Sequence, residues 1–345
     1  MPRSSQVLVF SKPRLATIQE EVLPEPGEGE VLIQTICTLI SMGTELTAYR
    51  GEFPANSAWS SWVRYPFRPG YSSVGIVVAR GDHVDSVNVG DRVFNRGSHA
   101  TFVVRKAAEL VKVPEDVSSE EAAFASISNV AMNGVRMATL ALGEAVGVVG
   151  SGMVGLMATQ YARRSGAFPL IALDISEERL RRARSFGATG AVNSSEADAL
   201  TEIGRLTKGR LADVVFEVTG NPSVIPSLPK LIRRGGRLIL LGSPRGSTTI
   251  DFHDEVHRLG LHVIGAHASN HPPVEIPFAP WTTSRNTELF LDLLQAHEIH
   301  VGDLITHRYP AAEAPEVFRR LSEDRTTSLG VILEWSADSH VESES

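Results

Sequence analysis

The sequence predicts an α/β protein in two parts, on three observations. The 345 residues exceed what one hydrophobic core usually serves. Residues 6–115 are short strand-like runs broken by Gly, Pro and Asp, which suits a small, strongly curved sheet or partial barrel. From about residue 145 the texture changes to continuous apolar strands alternating with helical stretches, the pattern of buried parallel strands with crossover helices.

In the first part the strands are QVLVF, EVLIQTICTLI, GIVVAR, DRVFN and TFVVR. A long helix is expected next, across PEDVSSEEAAFASISNVAMNGVRMATL, with Ser118 or Ser119 as its cap and Glu121 in its first turn. The second part offers the strands AVGVVG, PLIALD, ADVVFEV and GRLILLG, separated by helices such as VGLMATQYARRSG and SEERLRRARSFG. Near residue 286 the pattern shifts again to a helix, NTELFLDLLQAHEI, and a closing strand, GVILEW. The expected organisation is therefore one domain made of residues 1–125 and 286–335, interrupted by an inserted α/β domain of residues 126–285. The last ten residues, SADSHVESES, read as a polar, disordered tail.

Composition excludes several functions. With 42% hydrophobic and 21% charged residues the chain has the make-up of an ordinary globular protein. A net charge of −7 argues against a nucleic-acid or anionic-membrane surface. Its one cysteine, Cys37, rules out a disulfide framework and a cysteine-rich metal site. No stretch approaches the roughly 20 apolar residues that span a bilayer, and the N-terminal apolar run is too short for a secretory signal. The cytoplasm is the expected compartment.

The strongest local signal is VGVVGSGMVGLMATQ, in which Gly150, Gly152 and Gly155 follow a strand and open a helix. Among 29 glycines the spacing alone is weak, so the context carries the argument. The first glycine permits a tight turn, the second lets backbone approach a pyrophosphate, and the third allows close helix–strand packing. Ser151, Met153 and Val154 lie between them, and the helix N-terminus faces the phosphate charge. Asp174 closes the next strand about twenty residues further on, where a carboxylate accepts both ribose hydroxyls of NAD and repels the extra phosphate of NADP. A Rossmann domain that takes NAD follows. Arg179 either lies over the adenine or pairs locally. The turns VTGNPS and LLGSP end apolar strands, which makes Thr219, Gly242 and Ser243 candidates for the nicotinamide wall.

A dinucleotide unit behind a strand-rich domain resembles the medium-chain dehydrogenase/reductase superfamily over nearly the whole chain. The resemblance implies a GroES-like catalytic domain and a Rossmann domain. In the zinc alcohol dehydrogenase branch the first catalytic ligand is a Cys before Gly-Thr-Asp; here the segment reads Met42-Gly43-Thr44-Glu45. That branch's His-Glu pair after a glycine is replaced by Gly70-Tyr71-Ser72, and the third ligand position falls among Ser126, Ser128 and Asn129. The four-cysteine structural zinc lobe is absent. GTEL, GEFP and YPFRPGYSSVG are most similar to the hydroxyethyl-bacteriochlorophyllide dehydrogenases, a likeness that implies metal-independent alcohol oxidation and does not identify a tetrapyrrole. Trp59 and Trp62 between these landmarks either line a pocket for a ring or seal a loop against the barrel.

Without a Lewis acid, side chains must polarise the alcohol and accept its proton. Thr44 matches the family's proton-relaying hydroxyl, and Glu45 beside it is a candidate base. Tyr71 stands at a ligand position, and His99 is able to titrate near neutrality. Asn129 and Asn133, one helical turn apart, reach either the substrate, the nicotinamide ribose or the domain junction. Each has a plain structural alternative: Thr44 as a helix cap, Glu45 answering the helix dipole, Tyr71 packed in the core, His99 in a loop. The expected partner molecules are an alcohol or ketone substrate and NAD, with no metal. A quinone or enoyl reductase and a non-catalytic dinucleotide-binding protein are the alternatives. The apolar segment GLHVIGAHAS has an unprotected edge, so a homodimer with Leu261, Val263 or Ile264 near its axis is also expected.

Overall fold

A computed structural model describes residues 3–272 and 274–335, which leaves the polar tail from residue 336 outside the described residues. The chain divides into two units, Met1–Ser126 with Thr287–Ser345, and Ile127–Asn286.

The first unit carries a seven-stranded sheet. Its order runs Ile305–Pro310, Gly330–Glu334, Glu30–Leu39, Ser73–Arg80, Arg92–Asn95 and Val111–Lys112, with Phe102–Lys106 also paired to Glu30–Leu39. Strand Glu30–Leu39 bends to serve three partners, and its pairing with Ser73–Arg80 shifts register twice. A separate antiparallel hairpin, Arg3–Lys12 with Leu15–Leu23, touches the remainder through bridges Val7↔Ala100 and Phe10↔Phe67. Val7, Val9, Val31, Ile33, Val77, Val93 and Val103 fill the space this curvature encloses. Valine and isoleucine suit such a sheet, because branched side chains pack well on a pleated surface.

The second unit is a parallel six-stranded sheet in the order Gly190–Asn193, Leu170–Asp174, Val146–Val149, Ala212–Glu217, Ile232–Leu240 and His262–Gly265. The order reverses beside Val146–Val149, the switch point where such sheets hold ligands. Its core of Ile171, Leu173, Ile203, Val215, Leu228 and Leu238 reads as apolar runs because both sheet faces are covered.

Three expectations need correction. The long helix is two pieces, Ser119–Ala122 and Ala125–Ala138, the first closed by a capping box between Ser118 and Glu121. Helix Thr44–Arg50 is capped by Gly43 with no side-chain bond, so Thr44 is its first residue rather than its cap. Leu261 lies in the core of its own unit, buried with Val215 and Leu238, so it is not available at the sheet edge; Val263, 38% exposed, is.

Candidate active site

Four of the five candidate catalytic residues fall in the first unit, where three elements bring them together. Helix Thr44–Arg50 supplies Thr44 and Glu45, the loop before Ser73–Arg80 supplies Tyr71, and the turn after Arg92–Asn95 supplies His99. The last two segments are pressed together at Gly70, where a Cβ would lie 2.4 Å from the His99 nitrogen; a positive φ of 107° also demands glycine there.

His99 is completely buried, and both ring nitrogens are engaged. Nε2 lies 2.8 Å from Glu45 Oε2 and Nδ1 lies 2.7 Å from Thr38 Oγ1. Trp335, whose indole N–H can only donate, donates to the same Thr38 oxygen at 2.9 Å. An ionised carboxylate only accepts, so the ring N–H that faces Glu45 is the one on Nε2. The contacts form a chain that runs Trp335, Thr38, His99, Glu45. Glu45 is 1% exposed, and its other oxygen, Oε1, has no hydrogen-bond partner among the described residues. A buried carboxylate oxygen without a donor is uncommon and calls for a functional explanation.

Tyr71 is half-buried and donates to Ser41 Oγ. Burial first, and then the negative charge of Glu45, push its phenol up to about 12, against hydrogen bonding to Ser41 and Thr44. Tyr71 is thus a neutral hydroxyl at any ordinary pH, able to donate to an oxygen. Thr44, Ser41, Tyr71 and the Glu45 carboxylate form one hydroxyl-and-carboxylate cluster. Met42, at the position of the first family ligand, is buried, and Ser72 donates to the Ala123 carbonyl. Among the described residues no group of three or more His, Cys, Asp or Glu converges to hold a metal. Cys37 is buried, and its thiol is pushed up to about 12 by that burial, which leaves it unreactive.

Trp59 and Trp62 belong to an aromatic run. Phe53 stacks on Trp59 at 6.3 Å between centroids, Trp59 meets Trp62 edge-on at 5.8 Å, and Trp62 meets Phe67 at 5.0 Å. Trp62 keeps half its surface in solvent.

The second unit holds Asn129 and the dinucleotide candidates. Each glycine has a distinct geometric reason. Gly150 has φ 101°; a Cβ on Gly152 would meet nothing within 4 Å; a Cβ on Gly155 would sit 1.8 Å from the Gly150 carbonyl oxygen. The turn, the open approach and the close helix packing that a pyrophosphate loop needs are all present. Helix Met153–Arg164 begins at Gly152 with no side-chain cap, so the backbone N–H groups of its first turn remain for an anion. Asp174 is tied to this loop: it accepts from the Ser151 N–H at 2.6 Å and the Ser176 N–H at 3.0 Å. Both carboxylate oxygens retain a lone pair for ribose hydroxyls. Arg179, on helix Glu177–Ser185, donates its backbone N–H to the Ser176 cap. The Asn133 amide donates to the His267 carbonyl of the same unit at 3.0 Å.

Thr219, Gly242 and Ser243 lie just past the carboxyl ends of the two strands beyond Val146–Val149, and sequence reasoning missed the residue that joins them. Glu217 ends strand Ala212–Glu217, is completely buried, and accepts from the Thr219 N–H at 2.7 Å, the Thr219 hydroxyl at 2.5 Å and the Gly220 N–H at 3.0 Å. The available signal was a lone acid inside the apolar run VVFEV.

Comparison with known proteins agrees with this geometry. Residues 27–115 match the alcohol dehydrogenase GroES-like domain, and residues 153–281 match the zinc-binding dehydrogenase domain. The L-threonine 3-dehydrogenase of Bacillus subtilis strain 168 is 30% identical over 336 residues, covering 88% of this chain and 91% of that one. The chain belongs to the medium-chain dehydrogenase/reductase superfamily. Two solved structures share its fold, each at 21% identity and a TM-score of 0.81, covering 96% of this chain and 99% of theirs. One is an alcohol dehydrogenase from Escherichia coli CFT073 complexed with NADH, the other a zinc-binding dehydrogenase from Sinorhizobium meliloti 1021 bound to NADP. Membership in this superfamily makes the chain an oxidoreductase that works with a dinucleotide. No helix among its described residues is long and apolar enough to cross a membrane.

Proposed function

We propose that the protein is a metal-independent alcohol dehydrogenase that passes hydride between a secondary alcohol and NAD. The Glu45–His99 pair carries this reading. In a zinc enzyme these two residues would be the nearest replacements for the missing ligands, yet they face each other through Glu45 Oε2 and His99 Nε2, and His99 has no ring nitrogen left. The remaining groups at the ligand positions are the Met42 thioether and the Tyr71 phenol, poor donors for a cation that prefers thiolate, imidazole and carboxylate. The residues do not fit zinc.

The first unit instead contains what proton chemistry requires. The neutral Tyr71 hydroxyl, with Thr44 beside it, holds the substrate oxygen. Glu45 Oε1 accepts the proton that leaves it, and His99 Nε2–H keeps the carboxylate oriented and stabilised. The second unit fits the dinucleotide, with Gly150–Gly155 for the pyrophosphate and Asp174 for the adenosine ribose. When bound, NAD supplies the hydride acceptor. Asp174 favours NAD because a 2′-phosphate would share space with its carboxylate. Polyols, cyclitols, sugars and hydroxylated natural products are the substrate classes in view, and the dehydrogenases of threonine and sorbitol among the relatives support an alcohol. A dimer through the exposed edge of His262–Gly265 and a cytoplasmic setting complete the reading.

The test is turnover of a panel of secondary alcohols with NAD, before and after exhaustive chelation, alongside elemental analysis. Reduced nicotinamide formed equally in both samples, with no stoichiometric zinc, supports the proposal. One zinc per chain whose removal abolishes turnover refutes it.

A further inference from the structure

We propose that Glu217 is a positioning residue for the nicotinamide half of the dinucleotide site. The inference rests on the dinucleotide reading and extends it to a residue that does not itself touch the cofactor.

Strand order locates the two halves. The pyrophosphate loop follows Val146–Val149, and Asp174, which takes the adenosine ribose, follows its neighbour on one side. A dinucleotide centred on that loop must place its other half over the neighbour on the opposite side, Ala212–Glu217, and over Ile232–Leu240 beyond it. The turn Val218–Gly220 is therefore nicotinamide wall, and Glu217 lies underneath it.

The carboxylate holds this turn through one oxygen. Oε1 receives three donors, from Thr219 twice and Gly220 once, and Gly220 adopts φ 63° to present its N–H. Thr219 in turn accepts from the Asn221 N–H at 3.0 Å. The turn is also fixed against both neighbouring loops. A Cβ on Gly150 would come within 3.0 Å of the Thr219 methyl, and one on Gly242 would lie 2.5 Å from the Gly220 nitrogen and 2.6 Å from Glu217 Oε2. Oε2 has no hydrogen-bond partner among the described residues, although the side chain is wholly buried. A buried acid with one orphaned oxygen is costly, and a core strand would ordinarily end in an apolar residue. The carboxylate offsets that cost by ordering three donors of a loop that would otherwise have to be ordered by the ligand itself, a loss that weakens binding.

The experiment compares NADH and ADP-ribose, which lacks the nicotinamide, by titration calorimetry on the intact protein and on Glu217→Gln, Glu217→Ala and Thr219→Val. Glutamine keeps an acceptor at Oε1 without the charge, and valine removes one donor while leaving the buried acid in place, so that at least one variant folds. The expected result is NADH weakened by about tenfold in the Gln and Val variants and further in the Ala variant, the scale of one charge-assisted hydrogen bond. ADP-ribose should stay within about twofold of the parent, and KM for NAD should rise while KM for the alcohol holds. Parallel weakening of both ligands, or unchanged NADH affinity in folded variants, overturns the positioning role. An unmodified protein that binds neither ligand overturns the cofactor reading itself and this inference with it.

Discussion

Replacing His99 by Ala should destabilise the first unit far more than the loss of one ring. Three costs are visible in the structure. The Glu45 carboxylate, 1% exposed, loses the one donor that either of its oxygens has among the described residues. The buried Thr38 hydroxyl loses its His99 partner, and a cavity the size of an imidazole opens beside Phe318, whose ring lies 6.3 Å from that of His99. Breaking a buried pair by removing one partner costs about 3–5 kcal/mol. For a unit of this size that corresponds to a fall on the order of 10 °C in its thermal transition. The charge is the part to isolate. In a Glu45→Gln background the orphaned group is neutral, while the cavity and the Thr38 loss remain. His99→Ala should therefore cost about 2 kcal/mol less there. Urea denaturation of the parent, the two single variants and the double variant measures this coupling. Additivity within about 0.5 kcal/mol would show that Glu45 and His99 do not act as a pair, and the proton-acceptor assignment would fall with it. Glu45→Gln alone should fold normally and lose turnover by a factor of about 100 or more, as expected for removal of a general base.

Asp174→Ser should narrow or invert the preference for NAD, read as the ratio of kcat/KM with NAD to that with NADP; an unchanged ratio would remove Asp174 from the ribose site. Burial raises the Glu217 carboxyl above its ordinary value. The folded state therefore holds this proton when the unfolded chain has released it, and the contribution is full below the ordinary carboxylate value and lost as pH rises through the folded one. Glu217→Gln should flatten that part of the stability–pH curve, and a slope identical to the parent's would contradict the assignment. Light scattering at micromolar concentration should give at least twice the monomer mass, and Val263→Asp should lower it; a parent that runs as a monomer refutes edge pairing through His262–Gly265.

The candidate pyrophosphate loop was legible where backbone geometry admits one residue type. Gly150, Gly152 and Gly155 are glycine for reasons a spacing rule already encodes, and Asp174 follows at the distance that one strand–helix–strand unit imposes. Fold class was legible for the same kind of reason: alternating and continuous apolar runs report which sheet faces are covered. Strand Leu15–Leu23 escaped notice because, as half of a hairpin open to solvent, LATIQEEVL carries charge where a core strand would not. The Glu45–His99 cluster was legible as separate residues and not as a chain. His99 meets Glu45 and Thr38 from 54 and 61 positions away, and no local pattern marks such partners. Glu217 was passed over because a single acid in an apolar run looks like a flaw in the strand until its three donors are known.

The hydrogen bond from Trp335 to Thr38 spans 297 positions, and strand Gly330–Glu334 pairs with Glu30–Leu39 across a comparable separation. The second unit is one continuous segment, Ile127–Asn286. During synthesis it can fold while the N-terminal strands still wait for the partners that complete their sheet. Closing so long a loop slows assembly of the first unit more than it weakens the finished product. The Gly150–Gly155 loop can therefore form on a nascent chain before Trp335 reaches Thr38. A ligand that binds the folded second unit would hold it folded by mass action while the first unit assembles.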